Sequence, residues 1–144
     1  MTDERQLMKS TVLIILCLVA VMGGAFTPVA VADIAIHRQQ DARYASGGIT
    51  PEEVEEMQKL APRFPIQLYF LAQGSSEPVS GVNVTVRDIQ GDTVLQAQSE
   101  GPMFFIDVIG GRYTIDAEYG GETLSETKDQ TGRRYLRIKY RFGE

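Results

Sequence analysis

Downstream of residue 65 the chain alternates between short apolar bursts and turn residues. Residues 66–71 (IQLYFL) form an apolar strand, and a breaker run follows over 73–78. Val82, Val84 and Val86 alternate with Asn83, Thr85 and Arg87, the two-residue period of a half-buried strand. Gln90-Gly91-Asp92 turns the chain into 93–97, and Glu100-Gly101-Pro102 turns it into 103–108. In GGRYTIDAEYGGE (110–122), Tyr113, Ile115, Ala117 and Tyr119 share one face, with Thr114, Asp116 and Glu118 on the other. Two further segments, 122–128 and 135–142, complete seven short strands. No second helix is long enough for a parallel crossover. The pattern predicts a mainly β fold, a seven-stranded antiparallel β-sandwich over residues 63–144.

Gly120-Gly121 can take positive φ at both positions, as a two-residue type I′ hairpin requires. That turn pairs Tyr119 with Glu122 and Ala117 with Leu124. Continued, the register sets Ile115 opposite Glu126, where the ladder is expected to fray or bulge. A phosphate cradle would need a helix start after the glycines, and a strand follows each pair instead.

Upstream, ITPEEVEEMQKL predicts one short α-helix over 49–62. Thr50 suits the N-cap, Pro51 the first helical position, and Glu53 completes a capping box. Ile49 and Val54 have the spacing of a hydrophobic staple. Val54, Met57 and Leu60 share one face, and Pro62 and Pro65 end the helix. Residues 33–48 show no clear period and read as an extended lead-in. Gly47-Gly48 precedes the helix, but four nearby glutamates would repel an anion there.

Residues 1–32 read as a signal peptide, a short apolar helix that precedes the domain. Arg5 and Lys9 precede an uncharged apolar run over 11–26, about 16 residues and short for a span. Ala30 and Ala32 give the small-x-small pattern of a cleavage site, with the mature chain starting at Asp33. The expected location is therefore periplasmic or secreted. Asp3 and Glu4 keep open an alternative, a retained anchor in the inner membrane, which would be the only membrane contact. Ile14-Ile15-Leu16 lacks the small residue a lipoprotein site needs before Cys17. Cys17 is the only cysteine, so cleavage leaves no disulfide and no thiolate metal site. The net charge of −5 is unchanged by cleavage and argues against nucleic-acid binding.

Taken together, SGGITPEE, KLAPRFPIQLYFLA, GVNVTVRDIQGDTVL, SEGPMFFIDVIGGRYTIDAEYGGE and RRYLRIKYRF resemble small exported bacterial carboxypeptidase regulatory-like domain proteins. The resemblance covers residues 43–142. Its most specific part is the aromatic strand, tight turn, G-R-Y-T and Gly-rich hairpin in series. It implies a transthyretin-like, seven-stranded sandwich. It implies no peptidase activity, because the name comes from an accessory domain that follows the catalytic domain in some metallocarboxypeptidases. Family members often carry proline before G-R-Y-T; Ile109-Gly110 stands there here and implies a more flexible turn.

Candidate chemistry is sparse. A zinc peptidase needs a His/Glu ligand set, and the chain holds one histidine, His37, in the lead-in. Transthyretin-like hydroxyisourate hydrolases use histidine, arginine and a C-terminal Tyr-Arg-Gly-Ser; Tyr140-Arg141 matches only its first half. Asp116 and Glu118 lie on a strand's polar face, which does not raise a carboxyl pKa for acid–base work. Asn83, the only asparagine, also sits on a polar face, away from the buried setting an isopeptide cross-link needs. No catalytic residue, metal or cofactor is expected.

The last strand is more informative. Leu136, Ile138, Tyr140 and Phe142 alternate with Tyr135, Arg137, Lys139 and Arg141, and Arg133-Arg134 precede them. This basic stripe either balances nearby acids such as Asp116 and Glu118, protects a sheet edge, or forms an anion- or partner-binding face. The expected function is a non-catalytic accessory or binding domain of the periplasm or cell envelope, contacting an envelope protein or ligand. The alternative is a structural assembly subunit that associates through an edge strand.

Overall fold

The computed structural model of the protein describes residues 33–132 and 134–143. The expected signal segment 1–32, with Ala30 and Ala32 of its cleavage site, lies outside the described residues, as does Arg133; Asp33 is exposed. In chain order the elements are β1 (Ile36–Gln39), β2 (Ala42–Gly47), α1 (Pro51–Leu60) with a 3₁₀ turn (Ala61–Arg63), and β3 (Ile66–Ala72). Then follow β4 (Asn83–Arg87), β5 (Thr93–Gln98), β6 (Met103–Asp107), β7 (Gly111–Tyr119), β8 (Glu122–Gln130) and β9 (Leu136–Phe142). The fold is mainly β. Its two sheets run β1-β2-β6-β3-β9 and β5-β4-β7-β8.

Nine strands stand among the described residues where seven were expected. The additional pair, β1 and β2, forms a hairpin from the stretch without a period, and β2 continues antiparallel onto β6. Ala42, Ala45 and Ser46 of β2 are buried, and residues so small and mixed leave no hydropathy alternation to read. His37 accordingly sits in a paired strand rather than in an extended lead-in. Its ring stacks on Tyr44 at 4.9 Å, and Tyr44 stacks on Phe104 at 5.2 Å.

A second departure is the pairing of β3 with β9, which is parallel from Ile66↔Leu136 to Ala72↔Phe142. No crossover helix is needed, because the chain builds β6 and the whole second sheet between these two strands.

The sheets share one apolar core. Leu68, Phe70, Phe104, Ile106, Tyr140 and Phe142 enter it from the first sheet, and Val84, Val86, Leu95, Ile115 and Ala117 from the second. Alternation puts the opposite face of β6 to use as well. Phe105 and Met103 join Ala45, Met57 and Phe64 in a smaller core beneath α1.

Helix α1 starts as its sequence dictates. Glu53 N–H donates to Thr50 Oγ1 at 3.2 Å, and Thr50 N–H donates to Glu53 Oε2 at 3.1 Å. These two bonds close the capping box. The staple does not form: Val54 packs into the smaller core, whereas Ile49 stands 64 % exposed.

At the β7–β8 hairpin, Gly120 (φ 60°) and Gly121 (φ 82°) both take the positive φ that a type I′ turn demands. The ladder then runs without a bulge from Tyr119↔Glu122 to Gly111↔Gln130. The expected fray at Ile115↔Glu126 is absent. Glu126 is only half-buried, and Lys128 Nζ lies 3.3 Å from its carboxylate. The turn before G-R-Y-T is tied by Tyr113, whose hydroxyl donates to Ile109 C=O at 2.5 Å. This tyrosine-corner arrangement restrains the Ile109-Gly110 turn, which was expected to be flexible.

Two predictions concern the core. A Cβ on Gly101 would lie 2.3 Å from the Gly47 carbonyl oxygen, a backbone contact that cannot rotate away. Gly101→Ala is therefore expected to cost about 3 kcal/mol, read as a lower urea midpoint. The second concerns Tyr140, 2 % exposed, whose phenol pKa is raised by burial and by the nearby Glu126 and Asp116 carboxylates. A phenol harder to ionise when folded contributes stability in full below the unfolded value of about 10, and loses it as pH rises toward the folded value. Stability should fall from pH 10 upward with a slope approaching about 1.4 kcal/mol per pH unit from this residue. Tyr140→Phe should flatten that alkaline limb in urea titrations.

Candidate binding face

In a pleated strand a residue's N–H and C=O point to one side, and the next residue's point to the other. Leu136 N–H donates to Pro65 C=O and Phe142 C=O accepts from Gln73 N–H, so the even residues of β9 face β3. The odd residues, Arg137, Lys139 and Arg141, turn their backbone groups to the open edge of the first sheet. Their side chains are exposed, while Ile138, Tyr140 and Phe142 are buried.

The three cations are not alike. Arg137 Nε donates to Gln67 Oε1 at 3.2 Å. Gln67, 2 % exposed, donates from its own Nε2 to Ala61 C=O at 3.1 Å and to Phe64 C=O at 3.3 Å. One buried amide thus ties the end of the helical segment, β3 and Arg137 together. Arg141 reaches the Ser76 hydroxyl at 3.1 Å. Lys139 has no hydrogen-bond partner among the described residues. Tyr69 lies beside Arg137; burial raises its phenol pKa, and the guanidinium partly offsets this.

Among the described residues, close ion pairs do not hold the stripe in place. Arg43, Lys59, Arg87, Arg112 and Lys128 each have a carboxylate within 4.0 Å. Among the described residues none lies so close to Arg134, Arg137, Lys139 or Arg141. Asp116 sits in the other sheet, engaged by Arg87 and by the Ser125 hydroxyl. Glu118 is exposed in the same strand.

At the strand's start, Tyr135 is 56 % exposed and donates its hydroxyl to Pro62 C=O at 2.9 Å. Its ring forms a ridge between two clefts. One, about 370 Å³, is lined by Gln58, Pro62, Gln67, Tyr135 and Arg137. The other, about 290 Å³, is lined by Pro65, Asp107, Gln130, Arg134 and Tyr135. Gln130 donates to Arg134 C=O at 2.9 Å, and its buried Oε1 has no partner among the described residues.

The structure thus gathers Arg134, Tyr135 and Arg137 around the clefts and extends Lys139 and Arg141 up the sheet. Gln67 and Gln130, which bond to this face, lie outside the stripe that alternation predicts. The signal for Gln67 was available: it is the lone polar residue in the apolar run IQLYFL.

No family model matches the chain, and no curated protein matches it at a significant level.

The bonding pattern predicts unequal costs along the stripe. Lys139→Gln and Arg141→Gln should each change unfolding free energy by less than about 0.5 kcal/mol. Gln67→Ala should cost about 2 kcal/mol or more, because two carbonyls and a guanidinium lose a buried partner. Thermal melts of the three variants check this; a large loss in the lysine variant would show a hidden carboxylate partner.

Proposed function

We propose that this chain is a non-catalytic, exported accessory domain that works by contact, using the outer face of β9 and the Tyr135 clefts. The observation that carries this reading is the concentration on one exposed strand of an acidic chain of cations that have no close carboxylate among the described residues. An exposed aromatic ridge stands at the end of that strand. Hot-spot contacts are enriched in tyrosine and arginine, and Arg134, Tyr135 and Arg137 converge here.

For the finer fold we propose the carboxypeptidase regulatory-like, transthyretin-like sandwich. Support comes from the shared core between two sheets and from β3–β9, which supply seven strands once the β1–β2 hairpin is set aside. Export, to the periplasm or beyond, rests on the residue pattern of 1–32. Assembly of copies is the second reading, favoured by the nine-residue edge strand β8.

Crosslinked capture from cell-envelope extracts tests the first reading. Wild-type chain should retain a partner that the Lys139→Gln, Arg141→Gln double variant captures several-fold less. Equal capture by both would rule out the β9 face. A mass that rises with concentration in light scattering would favour assembly instead.

A further inference from the structure

We infer that the open edge of β9 is a strand-addition site for an extended acidic segment of a partner protein. This rests on the contact reading above and specifies its chemistry. Backbone and charge coincide at this edge. The residues whose N–H and C=O groups face outward, 137, 139 and 141, are the same three that carry the exposed cations. An antiparallel strand pairing there would form its hydrogen-bonded pairs with those three residues. Its side chains at the paired positions would lie beside Arg137, Lys139 and Arg141 on the same face. Carboxylates at alternate positions satisfy all three, and opposite charges across a pair are stabilising.

The chain itself supplies a small precedent. Gly143 continues the odd series, and its N–H donates to the Glu122 carboxylate at 2.8 Å. Just past the end of β9, one backbone donor of the same outward series thus already holds a carboxylate.

A second copy of this chain does not fit. Two-fold pairing of β9 with itself about Lys139 would oppose Lys139 to Lys139 and Arg137 to Arg141, which is destabilising. The outward residues of β8 are Thr123, Ser125, Thr127 and Asp129, with one carboxylate among them. Those of β5 are Thr93, Gln96 and Gln98, with none. Gln39 already blocks that strand by donating to Gln96 C=O at 2.8 Å and accepting from Gln96 N–H at 2.9 Å. The remaining edge, β1, carries no carboxylate at all, so no described edge of a second copy fits, and the occupant is a different chain whose exposed strand alternates acidic residues.

The full chain is titrated with a capped seven-residue peptide alternating glutamate and valine. Two controls accompany it: a peptide of the same composition with its glutamates contiguous, and the alternating peptide methylated on its glutamate backbone nitrogens. The alternating peptide is expected to bind, slowing amide exchange at Arg137, Lys139 and Arg141. Each control should bind about ten-fold or more weakly. The Lys139→Glu, Arg141→Glu double variant should lose the glutamate peptide and gain one alternating lysine and valine. Equal binding of the methylated peptide would overturn strand addition while leaving a basic contact face. Heparin that binds as well as the peptide, without slowing those amides, would overturn it in favour of a polyanion face. If no peptide binds, the inference fails, and the envelope capture experiment still judges the contact reading separately.

Discussion

Met103, Phe104, Phe105 and Ile106 are consecutive, and all four are buried. A strand sends successive side chains to opposite faces, so one opposing sheet can cover only half of them. Phe104 and Ile106 enter the core between the sheets, leaving Met103 and Phe105 needing a second cover. Helix α1 provides it through Met57, with Val54 and Leu60 beside it. The 3₁₀ turn after the helix must then return the chain to the same sheet. Gln67 receives that turn by donating to Ala61 and Phe64 C=O, and its oxygen accepts from Arg137 and, at 3.5 Å, from the Tyr69 hydroxyl. Burial of β6 on both faces thus fixes the helix, the helix fixes the turn, and the turn orients a cation on the outer edge.

A two-sheet fold leaves four edges, and an unpaired edge is a template for unwanted pairing. This molecule treats them differently. β1 is only four residues long. β5 has Gln96 occupied on both backbone groups by the Gln39 amide, which stands in for a neighbouring strand. β9 is seven residues long, pairs along its full length with β3 on one side, and carries a cation at each outward position. Like charges repel a second copy there, so protection against self-pairing and the proposed selection of an acidic partner would arise from the same three side chains.

Much of this architecture was legible because its signals are local. The capping box at Thr50 and Glu53, the Gly120-Gly121 turn and the valine alternation of β4 each need only a few neighbouring residues. The two departures share a different cause. β2 is defined by its pairing with β6, some 60 residues away in the chain, and its buried Ala42, Ala45 and Ser46 carry no period. The parallel direction of β9 is likewise set by β3, across about 70 residues. The basic stripe could be read from alternation alone. What separates Arg137 from Lys139 could not, because it depends on a glutamine side chain from another strand.

That glutamine also bears on how the charge is used. A carboxylate at position 67 would hold Arg137 equally well but would neutralise it, and a buried ion pair would add a desolvation cost. An amide accepts the same hydrogen bond while leaving the guanidinium's full charge directed outward. Both Gln67 amide hydrogens are already taken by Ala61 and Phe64, so the oxygen is held in place as an acceptor. Part of the ordering cost of a long side chain is met in the fold itself, which lowers what a partner must supply on binding. Lys139 and Arg141, without a buried anchor, retain the freedom to adjust to whatever carboxylate arrives. The stripe therefore combines one pre-oriented cation beside the Tyr135 ridge with two adaptable ones along the edge, an arrangement suited to fixing register at one end of an extended ligand.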